Sequence, residues 1–306
     1  MGRSQSTGAR AVRLAAAALS ALCAGLVPIG AARATGPADT LTNETITVGG
    51  IPRSYLLFVP GRYDAAGSVH AAAVVFHGFS GSSRDLVPTV VPAASRAGLV
   101  VAFPQGLGSS ATYPTGASFD AGQCCSAAKW TNVDDVGLAV QLIGVLKARF
   151  RPRRVVTAGF SNGGMLAFLV ACTHADLVDG VVDNSGSEAL PAAECDPSRP
   201  LRVVAIHGTA DPAVPFDGGF TAESAVVADP WGFRAITGVV DEWGQGHDGC
   251  SRRTVTRRSG YALTTWSRCR GESSAQLFAV TGMGHIPAAY PGPVDLGAQI
   301  ARTAGP

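Results

Sequence analysis

The chain has 306 residues, with 24 basic and 22 acidic side chains, 46% hydrophobic residues, 38 glycines and 19 prolines. That composition suits one large globular domain and excludes a collagen-like, coiled-coil or low-complexity chain. A net charge of only +2, made of both signs, offers no basic footprint, so no nucleic-acid partner is expected.

Residues 1–34 read as a secretory signal peptide. Arg3, Arg10 and Arg13 form a basic start, an apolar run extends from Leu14 to Gly30, and Ala32-Arg33-Ala34 is a small-x-small cleavage site. Pro28 and the short, alanine-rich core favour cleavage near Ala34 over a membrane anchor. The expectation is a secreted, extracellular chain with no stable membrane association, monomeric, with residues 35–306 forming a single catalytic domain. Removing the leader's four arginines from the 24 basic residues leaves 20 against 22 acidic. Six cysteines remain after the leader, and an even number in an exported chain points to disulfides. Proximity favours Cys172 with Cys195 and Cys250 with Cys269. For Cys124 and Cys125, neighbouring Cα atoms lie about 3.8 Å apart across a trans peptide, which is short for a bridge, so free thiols, crossed pairing and a neighbour bridge all stay open. No zinc-ligand spacing occurs and the six histidines are scattered, so neither a metal nor an organic cofactor is expected.

Past the leader, Thr45–Val48 and Tyr55–Val59 alternate as two strands around Gly49-Gly50, an edge hairpin. Ala71–Phe76 reads as a buried strand that ends in His77-Gly78-Phe79-Ser80-Gly81, followed by a helix from Arg84 to Arg96. Leu99–Phe103 is the next strand. The stretch 104–131, rich in Gly, Ser and Thr, holds the cysteine pair and Trp130; its length suggests one wall of a substrate cleft. Asn132-Val133-Asp134-Asp135 opens a helix through Phe150, with both aspartates read as caps in the first turn.

The centre of the chain is Arg154–Met165. Val155 and Val156 suit a strand, the glycines allow a very tight turn, and the run from Met165 to Val170 suits a buried helix. Ser161 sits alone at the tip of this Gly-x-Ser-x-Gly sequence, the strand–turn–helix in which a serine nucleophile is held above a sheet. A lone hydroxyl is a weak nucleophile, so the reading also requires a base, an acid to orient it and donors for an oxyanion. Val178–Val182 and Leu201–Ile206 are further strands, the second ending in His207-Gly208-Thr209-Ala210-Asp211. Asp211 is the acid, with Asp217 as runner-up. Residues 213–248 contain Phe216, Phe220, Trp231, Phe233 and Trp243, as suited to a core as to a cap over the site. Between Cys250 and Cys269 lies an arginine-rich hairpin. Gln276–Val280 is the last strand, and His285 on the glycine-flanked loop after it is the general base, ahead of His247. The amides of Phe79 and Asn162 are assigned to the oxyanion hole. His77 and His207 suit packing roles beneath their loops, while His77, Trp130 and Trp231 are also candidates to line the substrate site.

The order Ser161, Asp211, His285, each after a strand, predicts an α/β-hydrolase fold: a mostly parallel central sheet with helices on both faces. Taken together, His77-Gly78, Cys124-Cys125 leading to Val133-Asp134-Asp135-Val136-Gly137, Gly159-Phe160-Ser161-Asn162-Gly163-Gly164-Met165, His207-Gly208-Thr209-Ala210-Asp211 and Gly284-His285 resemble the secreted polyhydroxybutyrate depolymerase and feruloyl esterase family. The similarity runs along nearly the whole chain after the leader. It implies that Ser161, Asp211 and His285 are a catalytic triad and that the substrate is a carboxylic ester, from a polyester oligomer or the plant cell wall. It departs directly after His285, where family members tend to carry Trp-Pro and this chain reads Ile286-Pro287. An acetylxylan esterase or an acyltransferase on the same fold is the alternative. A non-catalytic binding relative would be expected to have a broken triad, and a peptidase would show itself on peptide substrates.

Overall fold

The computed structural model describes residues 38–63, 71–108, 116–221, 232–286 and 294–305. The leader and Trp231 lie outside the described residues. Ten strands form one sheet in the order β1-β2-β4-β3-β5-β6-β7-β10-β9-β8. They are β1 (Thr40–Val48), β2 (Ile51–Val59), β3 (Ala71–Phe76), β4 (Val100–Pro104), β5 (Arg154–Phe160), β6 (Gly180–Asn184), β7 (Arg202–Gly208), β8 (Arg252–Arg258), β9 (Tyr261–Ser267) and β10 (Ser274–Val280). The six central strands, β4 to β10 in that order, run parallel. Antiparallel pairs extend both edges.

The period-2 alternation of the central strands divides the core. In β3, Ala72, Val74 and Phe76 face one cluster while Ala71, Ala73 and Val75 face the other. Both faces must be apolar because helices cover both, as a parallel sheet requires. One side is packed by α3 (Asp135–Phe150), α4 (Asn162–Thr173) and the Ile236–Asp241 helix. The other is packed by α1 (Val87–Ala97) and the Leu296–Ala304 helix. This is the doubly covered, mostly parallel arrangement that the strand and helix periodicities predict.

Local chemistry explains most boundaries. Gly49 and Gly50 both take positive φ (55° and 83°), which a two-residue hairpin turn needs. The helix expected from Arg84 begins only at Val87, where a proline occupies the first turn and its missing N–H costs nothing. Asp134 caps α3 by accepting from the Gly137 amide at 2.6 Å. Asp135, read from the sequence as a second cap, lies in the first turn but does not cap it. Its side chain is fully buried and pairs with Arg53 at 2.6 Å, an 82-residue separation that no local pattern reveals. Within the stretch read as a loop, the described residues 116–131 contain the short helix α2 (Ser126–Trp130).

The cysteines pair as Cys172–Cys195, Cys250–Cys269 and Cys124–Cys125. The Cys124–Cys125 peptide is cis and its Cα atoms are 3.0 Å apart, so the trans spacing assumed from the sequence does not apply to it. Among the described residues, no helix is long and apolar enough to cross a membrane.

Candidate active site

Ser161 stands between β5 and α4 with φ 52° and ψ −122°, a region that non-glycine residues rarely occupy. Its neighbours make that turn possible. A Cβ on Gly159 would lie 2.3 Å from the Gly163 carbonyl carbon, and one on Gly163 would lie 2.3 Å from the Phe76 oxygen. Only glycine fits either place, so the chain crosses itself and β3 at backbone contact. The Ser161 amide donates to the Asn184 oxygen at 2.8 Å, tying the turn to β6.

The residues expected at three separate strand ends converge here. Ser161 Oγ lies 2.9 Å from His285 Nε2, and His285 Nδ1 lies 2.8 Å from Asp211 Oδ2. A carboxylate can only accept, so Nδ1 carries the proton and Nε2 is left to accept from the serine hydroxyl. Asp211 is itself held in place. Its other oxygen accepts from the amides of Ala213 and Val214, both at 2.9 Å, and its side chain is fully buried. The His285 side chain keeps 19% exposure and packs against the Phe160 ring, centroids 4.9 Å apart. The site therefore has a buried acid and a base open on one side.

His207 and His77 serve as props. His207, wholly buried, donates from Nε2 to the Val214 oxygen at 2.8 Å and braces the Asp211 loop from below. His77 is 2% exposed. Its Nδ1–H donates to the Gly78 oxygen at 2.7 Å and its Nε2 accepts from the Gly106 amide at 2.9 Å. Burial lowers the pKa of both rings, which keeps them neutral, as Nε2 of His77 must be to accept. His77 thus lies under the Phe79 loop, not on its surface. Phe79 itself is 37% exposed, and its loop is pinned by the Ser80 amide to the Ala117 oxygen at 2.8 Å. The Asn162 side chain is fully buried and clamps the Phe119 backbone in both directions, at 2.8 and 2.9 Å. That clamp orients the first amide of α4, which has no partner within its own helix.

The remaining candidates do not join this chain of hydrogen bonds. Asp217 is exposed. His247 packs on Trp243, which is fully buried in the core, so this aromatic is not a cap. Trp130 is 70% exposed at the end of α2. Two acids escaped the sequence reading. Asp183, near the end of β6, is fully buried, and burial followed by the nearby Asp211 raises its pKa well above the usual range. Glu188 is buried against Arg234, with Trp243 Nε1 donating at 3.1 Å, and burial pushes its pKa up to about 7. Partners this distant in sequence leave no motif. Among the described residues, the only His, Cys and acid side chains close enough to share an ion are Cys172, Glu188 and Cys195. Two of them are tied in a disulfide, which leaves a single carboxylate.

Known proteins share stretches of this sequence and its fold. The Phospholipase/Carboxylesterase family profile matches residues 138–229, which include the elbow and Asp211. "Feruloyl esterase B" of Piromyces equi is 28% identical over 198 residues, covering 63% of this chain and 35% of that protein. "Putative esterase NocK" of Nocardia uniformis subsp. tsuyamanensis is 31% identical over 236 residues, covering 68% of this chain and 65% of that protein. The chain thus spans less than two thirds of the length of both. Among solved structures, an acetyl xylan esterase from Aspergillus awamori superposes with TM-score 0.58 at 15% identity, covering 86% of this chain and 99% of that one. A CE1 ferulic acid esterase from Anaeromyces mucronatus, solved with ferulic acid, superposes with TM-score 0.57 at 11% identity, covering 89% and 93%. At such identities the superpositions speak to the fold alone.

Proposed function

We propose that this chain, an α/β-hydrolase by fold and related to carboxylesterases, is an exported serine carboxylic ester hydrolase that works through an acyl-enzyme on Ser161. The observation that carries the reading is the continuous chain of hydrogen bonds from Asp211 through His285 to the Ser161 hydroxyl. His285 Nε2 takes the serine proton as Oγ attacks the ester carbonyl, and the imidazolium so formed is stabilised by the buried Asp211 carboxylate. The tetrahedral oxyanion is received by the amides of Phe79 and Asn162. His285 then returns the proton to the leaving alkoxide. Water attacks the acyl-enzyme by the same route, and Ser161 is restored.

The acyl group is a feruloyl or acetyl ester on plant polysaccharide. The name of a curated relative, a feruloyl esterase, supports this class. Export rests on the leader-like residues 1–34 and agrees with the three disulfides. The test is hydrolysis of p-nitrophenyl acetate, butyrate and octanoate, methyl ferulate and a polyhydroxybutyrate suspension by wild type and Ser161→Ala. Loss of turnover in a folded variant is expected, with methyl ferulate or the acetate preferred. Substantial residual hydrolysis would remove Ser161 from its role, and preference for the polyester would move the substrate to the depolymerase class.

A further inference from the structure

The hairpin β8–β9 is unusual in its charge. Residues 249–271 hold six arginines, Arg252, Arg253, Arg257, Arg258, Arg268 and Arg270, and no acid. Arg253 pairs with Asp241 and Arg270 donates to the His247 oxygen. Arg252, Arg257, Arg258 and Arg268 are exposed and have no carboxylate partner among the described residues. β8 is the edge of the sheet. The result is a concentration of positive charge on one margin of a chain that is nearly neutral overall.

Directly antiparallel partners share a face, so the register places Arg258 beside Tyr261 and Arg252 beside Ser267 on the side that also carries Leu263. Next to this face, between β10–β9 and the Leu296–Ala304 helix, runs an open groove of about 470 Å³. Val204, Leu263 and Phe278 give it an apolar lining, and Tyr261, Gln276 and Arg302 add polar groups. Arg252 and Arg258 are six steps apart along the strand, a reach of about 20 Å. One end lies at the margin of the triad. Tyr261 pairs with Val280, and the Thr281 amide, four residues before His285, donates to the Gly260 oxygen of the hairpin turn at 2.9 Å.

We propose that this groove and its arginine flank bind an acidic polysaccharide, a linear chain bearing uronate carboxylates. The planar guanidinium matches a carboxylate with two parallel hydrogen bonds. An apolar lining with amide and hydroxyl groups suits the two faces of a sugar ring, and an open trough admits a chain where a closed pocket admits only a small molecule. A polymer lying in it presents its pendant esters at the edge where Ser161 stands. That purpose rests on the esterase reading, whereas the binding does not.

The experiment measures binding of an oligogalacturonate to Ser161→Ala protein by calorimetry, beside a neutral xylo-oligosaccharide and a single-stranded DNA oligomer. Using the inactive variant separates the groove from catalysis, so a failure of the esterase assignment leaves this readout intact. The uronate oligomer is expected to bind, to weaken as salt rises from about 50 to about 200 mM, and to lose about tenfold in affinity in Arg252→Ser/Arg258→Ser. The same double substitution should leave the melting temperature unchanged, since both side chains are exposed. No uronate binding at low salt, equal binding of the neutral oligomer, equal or tighter binding of DNA, or an unaltered affinity in the double variant would each overturn the proposal. If no oligomer binds, the arginines serve only to keep the edge strand from pairing.

Discussion

Replacing Arg53 with methionine tests what the buried ion pair does. Arg53 and Asp135 are 1% and 0% exposed at their side chains and meet at 2.6 Å. Asp135 also accepts from the Asp120 amide at 2.7 Å, next to the Phe119 backbone clamped by Asn162. Burial raises the Asp135 pKa even with Arg53 beside it, so the carboxylate is already reluctant to ionise. Without the guanidinium it is stranded, which costs about 3–5 kcal/mol. At about 2–4 °C per kcal/mol for a domain of this size, Arg53→Met should melt about 6–20 °C below wild type at neutral pH. The deficit should shrink as pH falls to about 4, because protonation removes the stranded charge. In Arg53→Met/Asp135→Asn the amide oxygen still accepts from Asp120 while no charge remains, so most of the loss should return. Calorimetric melting of the three proteins across pH decides it. A single variant within about 1 kcal/mol of wild type, or a double variant no better than the single, refutes the argument.

Asp248 is buried, and burial pushes its carboxyl up to about 7 from an ordinary value of 3.8. The folded protein then binds more protons than the unfolded chain between about pH 4 and 7, and stability falls as pH rises through that window. Asp248→Asn keeps an acceptor for the Leu201 amide and should flatten that slope, gaining at most about 4 kcal/mol over wild type by pH 8; parallel stability curves would contradict it. Gly163→Ala should lose about 1–3 kcal/mol or more together with most turnover, since its Cβ meets the Phe76 and His77 carbonyls at 2.3 and 2.4 Å. Gly144→Ala on α3, with nothing within 4 Å, should instead stabilise by about 1 kcal/mol in a urea titration. Cys172→Ser/Cys195→Ser, opening a link that spans 23 residues, should lower stability by about 3 kcal/mol in that assay.

The features legible in the amino-acid sequence are local. The strand alternation, the glycines around Ser161, the Gly49-Gly50 turn, the Asp134 cap and the placement of Ser161, Asp211 and His285 after strands are all written in short segments. Periodicity and backbone sterics act over a few residues and leave a readable pattern. The separation of acid, base and serine into three strand ends could be read because an α/β sheet puts every such end on one edge.

Long-range packing set the rest. It paired Arg53 with Asp135 and Glu188 with Arg234, set Asn162 against Phe119, and closed Cys124 onto Cys125 through a cis peptide. It turned an arginine-rich segment into one wall beside a groove. A buried charge requires a partner, but the residue type does not say which of many distant groups supplies it. That choice is made when the packed core brings one of them within hydrogen-bond reach.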